Sequence, residues 1–212
     1  MSYRLTLAEV ESYLRKSAQA VGLDWGIAEE AGKAARWLAA FDLEGPEYTL
    51  NHLLELRDQD YRRFIPDVKK SPWQASGDLL CPIITGAAIA DRSAGLLQGE
   101  KFELADVAYP LLLAATIGQA ARCHRAVFTT AWADVRVSCF ENGISIEGNR
   151  ESLSMVRTES VSCYLDNLSE PQVLPSTLSY GIDENTFQRL DELAFQTYAP
   201  ATEASRAGAG AG

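Results

Sequence analysis

The chain has 212 residues, of which 47% are hydrophobic and 23% charged, and its net charge is −10. This composition excludes wholesale disorder, and the length is sufficient for one domain with a sizeable core. Because nucleic-acid binding depends on clustered Lys and Arg, so acidic a chain is not expected to bind nucleic acid.

Helical patterns fill the first sixty residues. Thr6 and Glu9 have the spacing of a capping box and precede apolar residues at helical intervals, which predicts a first helix. A second helix is predicted to end near Ala40, and Gly32 within it would permit a close approach between helices. A third, shorter helix is expected after the Gly45-Pro46 break. Together they predict an antiparallel helical hairpin with an appended helix.

The middle of the chain has a different character. A passage rich in Pro, Lys and Ser, residues 65–78, is the best candidate for a linker or a long loop. Residues 81–90 are apolar throughout, so both a helix and a strand stay open for them. Residues 109–122 are apolar over one helix length and are followed by basic residues, which helix C-termini favour, and they predict a buried helix.

The strongest β signal comes next, in segments rich in Val, Phe, Thr and Trp or alternating in hydrophobicity. Strands are predicted over residues 126–132, 134–140, 144–147 and, less regularly, 155–165. Glu141-Asn142-Gly143 has the composition of a turn between two of them. A last helix is predicted to begin near Asp183, whose side chain can cap it.

These elements predict one α+β domain over residues 1–198. Its layers are an N-terminal helical hairpin, a small antiparallel sheet and a C-terminal helix followed by an extended Gly/Ala arm. The divisions are a helical part over 1–64, the linker-like 65–78, a mixed part over 79–198 and the arm over 199–212. The chain has neither an internal repeat nor the alternation of strands and helices typical of doubly wound folds.

Cysteine and histidine usage predicts a reducing compartment and no metal site. The four cysteines are Cys81, Cys123, Cys139 and Cys163. Zinc sites need closely spaced ligands, and the adjacent pair Cys123 and His124 diverges on a helix. The cysteines are therefore expected to be small buried thiols, and Cys123 to be structural rather than a nucleophile. No signal peptide is visible, and the most apolar window, 107–121, is too short for a membrane span, so a cytoplasmic protein without membrane association is predicted.

Catalytic motifs with recognised spacing are absent from the sequence. The terminal Gly-Ala-Gly-Ala-Gly is not a dinucleotide fingerprint, because the chain ends where the helix of that motif would follow, and no cofactor is predicted. Asp91 and Arg92 end a wholly apolar stretch. A carboxylate and a guanidinium at such a point suit a binding pocket and a structural ion pair equally well.

The last fifteen residues, Tyr198 to Gly212, contain almost no side chain able to build a core. Two interpretations stay open for them. One is a frayed tail or a linker, and the other is an arm held from outside through its backbone N–H and C=O groups.

Several segments carry a resemblance to a known family. They are Leu14–Leu38, Cys81-Pro82, Ala90-Asp91-Arg92, Tyr109–Leu113 and Tyr198–Arg206 with its Gly-Ala-Gly close. Together they resemble the bacterial domain-of-unknown-function family 3726, nearly end to end and most specifically in the terminal segment. In that family a short acidic end follows the arm, so a truncated tail is one expectation here. The resemblance implies no established activity, cofactor or catalytic residue. Residues 5–45 are more faintly similar to the N-terminal helices of type-2 malate/lactate dehydrogenases, without a catalytic motif.

Two hypotheses of different class follow. The first is an accessory or binding protein of bacterial metabolism whose C-terminal arm docks on a partner chain or on its own twin. The second is a small-molecule enzyme acting on a carboxylic or amino acid, with charged residues from two distant segments meeting in one cleft. The candidate binding residues are Asp91, Arg92, Glu203, Ser205 and Arg206.

Overall fold

A five-stranded antiparallel sheet and a layer of helices make up the computed structural model, which describes residues 2–77, 79–168 and 172–197. The helices are α1 Leu7–Ala20, α2 Trp25–Ala39, α3 Gly45–Leu56, α4 Pro82–Asp91, α5 Ser93–Leu97, α6 Pro110–His124 and α7 Glu184–Phe195. The strands are β1 Ser2–Thr6, β2 Pro66–Asp67, β3 Gln74–Ala75, β4 Phe102–Ala108, β5 Val127–Trp132, β6 Val135–Phe140, β7 Gly143–Gly148, β8 Arg157–Asp166 and β9 Ser179–Asp183. The predicted α+β class is confirmed.

The N-terminal hairpin forms as its sequence predicts. Thr6 caps α1 through its hydroxyl, which accepts from the Glu9 backbone N–H, while the Glu9 carboxylate accepts from the Thr6 N–H over 2.7 Å. Gly32 of α2 faces α1 so closely that a Cβ there would lie 2.6 Å from the Glu11 carbonyl oxygen. The expected close approach at Gly32 is therefore confirmed.

The ambiguous apolar segment is a helix, α4. Its first residue is Pro82, which has no N–H to satisfy and a backbone angle already suited to a first turn. Gly86 of α4 presses on α6, because a Cβ at Gly86 would lie 2.5 Å from the Thr116 Cβ. Helix α6, the predicted buried helix, thus packs between α4 and the sheet.

The main sheet has the strand order β4-β8-β5-β6-β7, and every pairing is antiparallel. Strands β5, β6 and β7 follow the predicted segments closely, with the turn at Glu141 and Asn142 between the last two. One sheet face packs on α6 through buried side chains such as Phe128, Val137 and Ile144. A second core lies among α1, α2, α3, α4 and α7.

Five strands were not predicted from the local patterns, namely β1, β4, β9 and the short β2 and β3. The first sixty residues were predicted to be helical. Residues 2–6 instead form β1, which pairs with β9 near the other end of the chain and places Leu5 opposite Tyr180. Strand β4 was assigned no structure, yet it pairs with β8. Strands β1, β4 and β9 depend on partners distant in sequence, and local propensity is a weak guide to such pairings.

The passage expected to be linker-like contains the short β2–β3 hairpin and packs against the edge of the main sheet. The Trp73 N–H donates to the Glu103 carbonyl over 2.7 Å, and the indole is buried. The Leu80 N–H likewise donates to the Asp106 carbonyl over 2.7 Å. These bonds cover the outer edge of β4, which would otherwise present unpaired backbone groups.

Helix α7 begins at the predicted cap, Asp183, whose carboxylate accepts from the Thr186 N–H over 3.0 Å. Phe187 of this helix stacks on Tyr3 of β1 with ring centroids 4.4 Å apart. The Gly/Ala arm beyond it, residues 199–212, lies outside the described residues. Within 2–77, 79–168 and 172–197, no helix has the length and apolar character needed to cross a membrane.

Candidate functional site

The sequence-predicted binding residues are only partly described. Asp91 and Arg92 both lie exposed where α4 ends, and neither side chain forms an ion pair within the described part of the chain. Glu203, Ser205 and Arg206 lie outside the described residues. Their convergence with Asp91 and Arg92 therefore stays a prediction.

Cys123 departs from the expectation of a buried thiol. The other three cysteines are buried, as predicted, whereas Cys123 is exposed near the end of α6. The correction has a local cause, because the last turn of α6 extends past the helices and the sheet that bury its earlier turns. The His124 side chain instead contacts α5, where its Nε2 lies 2.8 Å from the Ser93 hydroxyl oxygen. The two neighbouring side chains thus have separate surroundings.

Cys123 lines a groove at the junction of the helical layer and the sheet, with a cavity volume of about 590 Å³. Residues from α1, α2, the end of α6 and the β6–β7 turn form its walls. They are Leu7, Glu11, Lys33, Arg36, Trp37, Ala40, Phe41, Gln119, Arg122, Cys123, Glu141 and Asn142. We call this set the cation-rimmed groove.

Three cations and two carboxylates line the cation-rimmed groove, although the whole chain carries a net charge of −10. Two of the cations are neutralised locally. Lys33 pairs with Glu30 over 2.7 Å, and Arg36 pairs with Glu11 over 2.7 Å. The bond to Glu30 is also the main cause that raises the pKa of Lys33.

Arg122 differs from the other two cations. It forms no ion pair or hydrogen bond through its side chain with any residue in 2–77, 79–168 or 172–197. Gln119, one helical turn earlier on α6, lines the same groove and offers an amide. The two side chains together present a guanidinium and an amide, both able to donate to a carboxylate.

An aromatic wall lines the same groove. Trp37 and Phe41 pack edge to face, with ring centroids 5.1 Å apart and an interplanar angle of 66°. Gly118 of α6 makes room for the indole, since a Cβ there would lie 2.8 Å from the Trp37 Cζ2. Phe41 is buried and Trp37 is half-buried, so the wall offers apolar surface to a ligand without being fully open to solvent.

The arrangement can therefore bind a small molecule that has an anionic end and an apolar body. The guanidinium of Arg122 would meet the anion, and the aromatic wall would remove apolar ligand surface from water. Sequence reasoning missed this groove because its residues run from Leu7 to Asn142 and share no motif.

A second, buried cluster lies where α3 meets the starts of α4 and α6. His52 Nε2 is 3.2 Å from the Cys81 Sγ, and both residues are buried. The Tyr109 ring packs edge-on against the imidazole with centroids 5.5 Å apart, and its hydroxyl donates to the Glu55 carboxylate over 2.5 Å. Cys81 precedes Pro82, the first residue of α4, but nothing local in the sequence connects Cys81 to His52.

Burial keeps this cluster neutral. It lowers the pKa of His52 to about 3 and raises that of Cys81 to about 11. Burial, together with the bond to Glu55, also raises the pKa of the Tyr109 hydroxyl well above its ordinary value. At neutral pH the imidazole, the thiol and the phenol are therefore all uncharged.

A protein metal site needs several His, Cys, Asp or Glu side chains close together. Within the described ranges, no group of three or more such residues is placed to hold a metal ion.

The fold and the groove define an α+β protein with a cation-rimmed surface site. A model of the family described as "Protein of unknown function (DUF3726)" matches residues 5–77, roughly a third of the chain. This match supports the family assignment predicted from the sequence, and it corrects the predicted extent, which was nearly the whole chain. No curated protein matches the chain, and no solved structure matches it.

Proposed function

We propose that the protein binds small organic carboxylates in the cation-rimmed groove. The observation that carries this proposal is Arg122, a guanidinium without an ion-pair partner in the described part of the chain, in a groove that Trp37 and Phe41 also line. An arginine binds a carboxylate through two parallel hydrogen bonds. The ligand class agrees with the small carboxylate expected from the sequence, although the residues differ from those predicted.

A thermal-shift experiment with phenylacetate and its neutral analogue phenylacetamide tests this proposal. A ligand that binds only the folded state stabilises it by mass action, so the melting temperature rises with the ratio of ligand concentration to Kd. We expect phenylacetate to raise the melting temperature and phenylacetamide, which has the same ring and no charge, to raise it far less. Equal shifts with the two compounds, or no shift with either, would contradict carboxylate binding.

The enzyme alternative uses the same groove. Cys123 and Glu141 line it, and a thiol and a carboxylate can serve as nucleophile and general base. Under this alternative a bound carboxylic or amino acid is consumed, and C123S and E141Q abolish the consumption. Persistence of a bound carboxylate unchanged during long incubation would favour the binding protein.

Docking through the C-terminal arm stays a second proposal. It is supported by the side-chain-poor composition of residues 199–212, a few residues after α7. The C-cap of α7, Gln196, accepts a hydrogen bond from Arg57, the C-cap of α3, over 3.1 Å. Analytical ultracentrifugation of the full chain and of a chain ending at Tyr198 tests it. Association that is unchanged by the truncation would remove the arm from the interface. The cytoplasmic location expected from the sequence likewise stays a prediction.

A further inference from the structure

The buried pair His52 and Cys81 has the geometry of a thiol and its base. The imidazole Nε2 lies 3.2 Å from the Cys81 Sγ, within reach of the thiol proton. Cys81 is the N-cap of α4, a helix of ten residues. The backbone N–H groups of Ile83 and Ile84 bond to the Cys81 sulfur and favour its anionic form, as helix N-termini do.

A second observation points to a missing partner at this pair. The His52 side chain is 2% exposed, yet its Nδ1 has no hydrogen-bond partner in the described part of the chain. Buried polar atoms are nearly always paired in folded proteins, so an orphan nitrogen on a buried imidazole needs an explanation. A ligand or a moving neighbour that reaches the ring would supply the partner.

Tyr109 covers the pair from the side of α6. Its ring packs against the imidazole, and its backbone has φ 39° and ψ 64°, a left-handed conformation that is unusual for a bulky side chain. Such strain persists where surrounding structure holds it and is concentrated at functional sites. The bond from Tyr109 to Glu55, an exposed residue, is the outermost contact that holds the ring in place.

We propose that His52 and Cys81 form a latent thiol nucleophile, shuttered by Tyr109, that reacts with small uncharged electrophiles. In the reaction the Cys81 Sγ attacks the electrophilic carbon, a C–S bond forms, and the leaving group departs with its bonding electrons. The thiol proton passes to His52 Nε2. This site is distinct from the cation-rimmed groove, and the proposal does not depend on the carboxylate ligand.

The preference for uncharged electrophiles follows from the surroundings. The pair is fully desolvated in an apolar core, where an unpaired charge is costly. The carboxylates of Glu55 and Glu44 stand around the Tyr109 and Tyr48 hydroxyls and would repel an anionic reagent. Burial also keeps both partners neutral while the shutter is closed, since it raises the pKa of Cys81 and lowers that of His52.

Site-resolved alkylation of the full native chain tests the proposal, with iodoacetamide and iodoacetate as a matched uncharged and anionic pair. Cys139 and Cys163 are internal controls, because both are fully buried and neither has a histidine partner within the described residues. We expect iodoacetamide to modify the exposed Cys123 first, then Cys81, and the two controls far more slowly. Iodoacetate is expected to modify Cys123 while leaving Cys81 untouched.

Two variants separate the shutter from the base. Y109F keeps the ring but loses the bond to Glu55, and we expect it to speed alkylation of Cys81 about fivefold, the effect of one net hydrogen bond. H52Q is expected to slow the alkylation of Cys81 to the rate at which Cys139 and Cys163 are alkylated. Modification of wild-type Cys81 no faster than that of the two controls would overturn the proposal even if a variant fails to fold. So would an unchanged Cys81 rate in folded H52Q, or equal reactivity of Cys81 with both reagents.

Discussion

Glu47 shows how one half-buried carboxylate couples the stability of this fold to pH. It lies in the first turn of α3 and accepts a hydrogen bond from the Tyr180 hydroxyl of β9 over 2.7 Å. Burial raises the pKa of Glu47 despite that bond. Because its pKa is higher in the folded state than in the unfolded state, protonation favours folding, and the benefit is lost as pH rises through the folded pKa.

The substitution E47Q is therefore expected to stabilise the protein at neutral pH. The amide oxygen can still accept from Tyr180, and the desolvated charge is gone. The gain should shrink as the pH falls from the raised folded pKa toward the ordinary carboxyl value, since the wild-type carboxyl is protonated over that interval. Melting temperatures measured from pH 4 to pH 8 check this, with E159Q as a control at an exposed carboxylate on β8, far from Glu47 in the chain. A variant less stable at every pH would show that the charge itself is needed.

At the scale of helices, α2 carries two glycines whose surroundings differ sharply, and only one of them faces α1. A Cβ at Gly32 would meet the Glu11 carbonyl oxygen at 2.6 Å, and a backbone atom cannot move aside without displacing α1. A Cβ at Gly26, on the same helix, would meet nothing within 4 Å. The pair thus separates close packing from helix propensity.

We expect G32A to destabilise the protein by on the order of 1–3 kcal/mol through overpacking. G26A should instead be neutral or stabilise it by less than about 1 kcal/mol, because alanine has the higher helix propensity. Urea denaturation of both variants provides the comparison. If the two substitutions moved the midpoint equally in one direction, the close approach at Gly32 would have no energetic weight.

Elements were predictable wherever the signal was local. The Thr6–Glu9 capping box, the apolar run of α6 and the cap at Asp183 each combine a terminal signal with a helical period, and each is confirmed. Segment 81–90 could not be assigned, because an apolar run without periodicity suits a buried helix and a buried strand alike. In the structure this segment is helix α4, which is buried on most of its surface and contacts α6 at Gly86.

At the scale of the whole molecule, pairings between segments far apart in the chain could not be predicted from the sequence. Strands β1 and β9 meet across nearly the whole chain, as the bond from Arg4 to Ser179 illustrates. The cation-rimmed groove has the same origin, since it gathers side chains from four separate segments. Its key residue, Arg122, lies among the basic residues at the end of α6. In the sequence such residues indicate the end of a helix and not a binding site.

The central claim, that the cation-rimmed groove binds small carboxylates through Arg122, is tested most directly by calorimetric titration of phenylacetate into three proteins. These are the wild-type chain, R122Q and R92Q. Arg92 is an exposed arginine that was predicted from the sequence to bind the ligand but lies outside the groove. We predict that R122Q weakens binding about tenfold or more, as loss of a charge-assisted bond does, while R92Q binds like the wild type. Undetectable binding to the wild-type chain, or a loss of affinity in R92Q and not in R122Q, would contradict the claim.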